Sequence, residues 1–292
     1  MSSRQLQFAI ACLALAVSVE GPAQAGTLEI VHFRSGVPPV VAASNENQVI
    51  KAPNAREFRP GFPIWGHLGK PTGSGPFPAL VLMHGCGGIR QSHLNWSSTL
   101  NAAGYVTLVV DSFRPRSILR ICGKRIRAVS HTNRAFDAFG ALAYLKRLSY
   151  VDAKRIGIVG WSHGGISALG MVQRDGVENR FKDRFKAAIA FYPYCIIDRQ
   201  FLAPVLILIG EADDWTPVGL CRKLWSRNRA ADPPVELVTY PSVRHAFDDP
   251  SLKDGYHVEG AFGKKHFLKY DRFAHRDAVG RVISFLAGQL SR

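Results

Sequence analysis

The sequence predicts an α/β domain: a mostly parallel sheet with helices on both faces. A continuous apolar run at 79–83 is followed by further short, mostly apolar stretches at 106–110, 156–159, 187–191 and 205–209. Runs of this length suit strands buried on both faces. Segments with apolar residues at helical spacing alternate with them, as in 133–147, where Phe136, Phe139, Leu142 and Leu145 recur every three residues. Such alternation is the signature of strands joined by crossover helices. No low-complexity linker interrupts 61–292, which reads as one domain. With 47% of its 292 residues apolar, the chain can bury a sizeable core.

The elements follow in order. Residues 1–25 read as a secretory signal peptide, with Arg4 as a positive start, an apolar stretch over 8–19, and Ala23-Gln24-Ala25 as a small–x–small cleavage site. The mature chain is then expected to begin at Gly26 and to be exported, periplasmic or secreted. No later apolar run is long enough to span a bilayer. Residues 26–60 read as an N-terminal arm. A first strand fits 27–33, and Pro38, Pro39, Asn45, Asn47, Pro53 and Pro60 break any ladder or helix beyond it. A short strand fits 64–68, and a turn-rich segment fills 71–76. Strand 79–83 leads to a helix over 93–103 that stops at Gly104. Strand 106–110, helix 133–147, strand 156–159, helix 163–173, and strands 187–191 and 205–209 come next. Helix 217–229, with Pro217 in its first turn, precedes strand 235–240. The last helix lies within 271–290, and 248–270 reads as an insertion able to serve as a lid or edge covering.

The formal charge of +15 comes from 37 basic against 22 acidic side chains. They are dispersed, and no helix or loop carries a basic stripe interleaved with aromatics. A solvated basic surface is expected, without nucleic-acid binding.

The residues with chemical potential sit at strand ends, where sheets of this class bind ligands. Gly160-Trp161-Ser162-His163-Gly164-Gly165 lies between strand 156–159 and helix 163–173. So tight a strand-to-helix turn needs small residues around the serine and leaves its hydroxyl exposed. Ser162 is therefore the candidate nucleophile. A serine hydroxyl needs a base, and in this arrangement the chain order is serine, acid, histidine. Among the late histidines His245, His257, His266 and His275, only His245 closely follows a strand, 235–240. The acid is expected after strand 205–209, where Glu211, Asp213 and Asp214 are all available. An acyl-transfer site also needs donors for an oxyanion. The backbone N–H of His163 is one candidate. The N–H of Cys86, in the loop His84-Gly85-Cys86-Gly87-Gly88, is the other. No histidine pair, cysteine pair or glycine loop has the spacing of a metal, phosphate or dinucleotide site, so neither metal nor cofactor is expected.

Taken together, the oxyanion loop, the serine turn, Gly210-Glu211-Ala212-Asp213 with Pro217, and His245-Ala246-Phe247 resemble the dienelactone hydrolase family of the α/β-hydrolase fold, over 64–286. The resemblance implies Asp213 as the acid, three residues after Gly210 and four before Pro217. It implies a metal-independent carboxylesterase or lactonase acting on a small-molecule ester or lactone through an acyl-serine. The family's namesake enzymes carry a cysteine where this chain has Ser162. They have a glutamate near the start of the oxyanion loop, at the place of His84, and an arginine where Asp248 and Asp249 follow His245. Arg114 or Arg116 is the candidate anion clamp in its stead. Trp161, Tyr192, Tyr194 and Trp215 are expected to wall the pocket and favour small or aromatic esters. A peptidase or amidase on the same triad, or a non-catalytic binding module of the same fold, are the alternatives. Cys86 and Cys122 follow successive strands, as do Cys195 and Cys221. In this fold those strands are expected to be neighbours, so the bridges Cys86–Cys122 and Cys195–Cys221 are expected, with four buried thiols as the alternative.

Overall fold

The structure is a computed structural model and describes residues 28–37, 59–196 and 200–291. The expected signal peptide, and residues 26–27 and 38–58 of the expected arm, lie outside the described residues. The chain begins with β1 (Glu29–Val37), β2 (Arg59–Gly69) and β3 (Phe77–Met83), followed by α1 (Gln91–Ala102) and β4 (Val106–Asp111). It continues through α2 (His131–Leu145), β5 (Val151–Trp161), α3 (His163–Val172), β6 (Ala188–Phe191) and β7 (Val205–Gly210). Then come α4 (Val218–Asn228), β8 (Val235–Tyr240), a hairpin of β9 (Tyr256–Glu259) and β10 (Lys265–Leu268), and α5 (Arg272–Gln289).

Eight strands form one sheet in the order β1-β2-β4-β3-β5-β6-β7-β8. From β4 to β8 every pairing is parallel, while β1, β2 and β4 pair antiparallel. This is a mostly parallel α/β-hydrolase sheet. The segment read as an arm therefore contributes the sheet's outermost strand, β1. Phe33 and Val31 of β1 are buried in the core, which is why it docks instead of trailing. Strands β4 and β7 are buried along their whole length, as their predominantly apolar sequences favour.

The chain runs from β3 outward to β4, then crosses back to β5 on the other side of β3. Strand order thus reverses between β3 and β5, and the crevice beyond their carboxyl ends is the place where such sheets bind ligands. Met83 pairs with Gly160 at that end, so the loop after β3 and the turn after β5 are side by side. Right-handed crossovers put α2, α3 and α4 on one face. On the other, α1 meets α5 through the Trp96 and His275 rings, 5.6 Å apart. Both expected disulfides are present, Cys86–Cys122 and Cys195–Cys221, and β3/β4 and β6/β7 are neighbours. No helix among the described residues is long and apolar enough to cross a membrane.

Candidate active site

Ser162 sits between β5 and α3 with φ 52° and ψ −115°, a conformation that side chains rarely adopt. The flanking glycines make it possible. A Cβ on Gly160 would lie 2.1 Å from the Gly164 carbonyl oxygen, and one on Gly164 would lie 1.9 Å from that of Met83. Only glycine allows β3, β5 and α3 to converge so closely. The Ser162 N–H donates to the Phe191 carbonyl at 2.9 Å, anchoring the turn on β6.

His245 leaves β8 through a short loop, and Asp213 leaves β7. His245 Nε2 lies 3.0 Å from Ser162 Oγ, and His245 Nδ1 lies 2.7 Å from Asp213 Oδ2. Asp213 is fully engaged. Its Oδ1 accepts from the N–H groups of Trp215 (2.9 Å) and Thr216 (2.8 Å), and its Oδ2 accepts from the Thr216 hydroxyl (2.8 Å). Burial alone would raise its pKa. The His245 ring and the hydrogen bonds from His245 and Thr216 outweigh burial and hold the carboxyl below its ordinary value. Asp214 points elsewhere: its carboxylate accepts from Phe267 N–H at 3.3 Å and lies 3.6 Å from Arg244. It fastens the β9–β10 hairpin.

Ser162 and His245 open into a cavity of about 200 Å³, lined among others by Cys86, Trp161, Tyr192, Trp215 and Tyr256. As the first residue of α3, His163 has an N–H that no helical carbonyl accepts. The Cys86 N–H meets no backbone carbonyl among the described residues. Gly85 lies against Ser162, since a Cβ there would be 3.7 Å from the serine's own. Trp161 and Trp215 are pocket walls, as their positions in the sequence imply.

One expected wall residue is not, and neither candidate anion clamp is in place. Tyr194 is 38% exposed and lines no part of this cavity. The chain leaves β6 at Phe191, and Tyr192 takes φ 36°, which breaks the strand alternation that would put Tyr192 and Tyr194 on one side. Arg114 is no anion clamp here: it lies over the carboxylate of Asp111, 3.9 Å away, and outside the cavity. Arg116 is held by both carboxylate oxygens of Asp137, at 2.8 and 2.9 Å.

Several contributors escape sequence reasoning. Asp248 is buried beneath the cavity and accepts from the Trp96 and Trp161 indoles at 2.7 Å each and from the Tyr192 hydroxyl at 2.6 Å. Burial pushes its carboxyl up, against those hydrogen bonds. The Tyr192 ring packs 4.4 Å from that of His245, so this carboxylate fixes a pocket wall and a neighbour of His245 together. The hairpin supplies Tyr256, Val258 and Leu268, and His266 stacks on Trp215 with centroids 4.9 Å apart. The sequence does offer one signal, Arg134 and Asp137, two charged residues in a largely apolar helix, and both are fully buried. Among the described residues, no group of three or more His, Cys, Asp or Glu side chains could hold a metal ion.

A parallel sheet with this turn between strand and helix defines an α/β-hydrolase. The sequence profile of the dienelactone hydrolase family matches residues 64–290, and the chain belongs to that family, as a hydrolase acting on ester bonds. A Methylorubrum extorquens protein provisionally named a carboxymethylenebutenolidase is 26% identical over 254 residues, covering 78% of this chain and 84% of that one. Among solved structures, a dienelactone hydrolase-like promiscuous phosphotriesterase from metagenomic libraries superposes with a TM-score of 0.66 at 14% identity, covering 91% of this chain and 100% of that one. A thermophilic esterase of Thermogutta terrifontis gives 0.59 at 18% identity, with 78% and 89% covered. At these identities the structural neighbours speak for the fold.

Proposed function

We propose that this protein cleaves small carboxylic esters or lactones through an acyl-serine intermediate. The observation that carries the reading is the unbroken path Asp213–His245–Ser162, at 2.7 and 3.0 Å. His245 Nε2 takes the Ser162 proton as the hydroxyl attacks the acyl carbon. The tetrahedral oxyanion is held by the N–H groups of Cys86 and His163. His245 then hands the proton to the departing alkoxide. A water, deprotonated by the same nitrogen, releases the acid and restores Ser162. Asp213 accepts from His245 Nδ1–H throughout, fixing the tautomer that leaves Nε2 free to act as base.

The carboxymethylenebutenolidase name of the Methylorubrum relative supports a lactone as substrate. The small cavity with its aromatic walls supports a compact acyl group. The two disulfides support an oxidising compartment, consistent with export of a chain that starts at Gly26.

Purified protein with and without Ser162→Ala tests the reading. Hydrolysis of p-nitrophenyl acetate should fall on the order of 10⁶-fold while the variant stays folded, and a fluorophosphonate probe should label only the parent. Near-parental turnover by folded Ser162→Ala would refute the mechanism.

A further inference from the structure

The mechanism above makes no use of Arg134, which lies on α2 and is fully buried. Its guanidinium bonds two neutral acceptors. Nη2 donates to the His84 carbonyl at 2.6 Å and Nη1 to His163 Nδ1 at 2.9 Å. Its Nε has no hydrogen-bond partner, and the carboxylate one turn on, Asp137, is taken by both arms of Arg116. The Phe113 ring lies 5.2 Å from the guanidinium carbon. A buried cation without a bonded carboxylate bears a heavy desolvation cost, and apolar residues commonly stabilise such positions better. Burial correspondingly pulls the Arg134 pKa down to about 9.

The two acceptors belong to the two halves of the oxyanion site. His84 opens the loop after β3, and His163 follows the nucleophile. We propose that Arg134 is a positioning residue, a clamp that holds both oxyanion arms in register from behind. This rests on the acyl-serine reading of the same site.

The backbone geometry shows how the clamp works. In a trans peptide the N–H points opposite to the preceding carbonyl, so fixing a carbonyl aims the next N–H. Arg134 fixes the His84 carbonyl. The His84 ring then fixes the next one, because Nδ1 donates to the Gly85 carbonyl at 2.7 Å while Nε2 accepts from Ser112 N–H at 3.3 Å. The peptide so oriented carries the N–H of Cys86. On the other arm a guanidinium can only donate, so His163 Nδ1 is the unprotonated acceptor. The ring is pinned between Arg134 and the His131 ring, stacked 4.0 Å away. Burial first, and then the Arg134 charge, keep His163 neutral. An acceptor on each arm explains why this position needs a fork: a lysine ammonium has no planar pair of donors to span them.

Kinetics of Arg134→Met and Arg134→Lys test this, with phenylboronic acid as a probe that forms a tetrahedral adduct on a serine hydroxyl. In folded Arg134→Met, kcat for p-nitrophenyl acetate should fall about 10²–10³-fold, the range for losing one oxyanion donor. KM should change little, and boronate inhibition should weaken in step with kcat. Arg134→Lys should recover only part of both. A purely structural role would lower the fraction that a fluorophosphonate labels and leave the folded fraction's kcat and boronate affinity at the parental values; that result overturns the clamp, as does full recovery in Arg134→Lys. Should Arg134→Met not fold, His163→Ala removes one acceptor alone. It should lower kcat and boronate affinity together by a smaller factor, and parental values for both again overturn the proposal. Loss of activity in Ser162→Ala beside parental Arg134 variants refutes the clamp only, whereas an active Ser162→Ala refutes the reading beneath it.

Discussion

Asp213 receives three protein hydrogen bonds besides the one from His245, while its neighbour Asp214 faces the hairpin. Adjacent in sequence, the two carboxylates therefore respond differently to amidation. Asp213→Asn leaves an amide beside His245 Nδ1 that favours the wrong tautomer, and kcat should fall on the order of 10⁴-fold. Asp214→Asn keeps an acceptor for Phe267 N–H and should leave kcat close to the parental value. Steady-state kinetics of the pair decides it, and the reverse ranking would move the acid to Asp214. The order serine, acid, histidine was legible at this scale because each residue lies a short way beyond a strand's carboxyl end. Asp248 was not, because its three donors, Trp96, Trp161 and Tyr192, come from three separate elements, and only the folded sheet brings them together.

At the scale of elements, the loop after β3 is tied to the β4–α2 loop by Cys86–Cys122, while Cys195–Cys221 fastens α4 to the segment after β6. Replacing either pair by alanine should lower stability by about 2–4 kcal/mol. Only Cys86→Ala with Cys122→Ala should also lower kcat, because Cys86 carries a proposed oxyanion donor. Urea unfolding alongside kinetics separates the two effects, and equal loss of kcat from both pairs would contradict that donor's role. The hairpin is the other device of this scale. Tyr256, Val258 and Leu268 close the cavity on one side. Each methylene an acyl chain buries gains about 0.8 kcal/mol only while wall remains to receive it. Across p-nitrophenyl esters of increasing length, efficiency should fall after a few carbons, and Tyr256→Ala should move that limit outward. Efficiency that climbs into long fatty-acyl chains in the parent would show an open groove instead. Buried strands β3 and β7 were readable from the sequence as apolar runs, and β4 as a run interrupted only by Thr107. The hairpin was not: Tyr256–Glu259 and Lys265–Leu268 are four residues each, the first with no buried position and the second with two, so no apolar run marks them.

For the molecule as a whole, burial holds His84, His93, His131 and His163 below the ordinary value of 6.5, His93 at about 3 and His131 at about 4. The unfolded chain takes up protons near 6.5 that the native chain refuses, so stability must fall as pH drops below that value. Each such histidine adds a slope of about 1.4 kcal/mol per pH unit once pH is well below its unfolded pKa. Asp213, whose carboxyl is depressed, acts in the same direction at lower pH, while the raised carboxyls of Asp137 and Asp248 act against it. The four histidines titrate first, so urea midpoints should decline steadily from pH 6.5 towards 4. A flat or rising profile over that interval would mean that these rings are charged in the native state. The bridges have a consequence for biosynthesis. With Cys12 inside the expected signal peptide, every remaining cysteine pairs with its nearest neighbour along the chain. A polypeptide that enters an oxidising compartment N-terminus first offers Cys86 and Cys122 to each other before Cys195 has emerged. Stepwise oxidation during entry thus yields the native pairs directly, and the chain has no inherent need of a disulfide-shuffling catalyst.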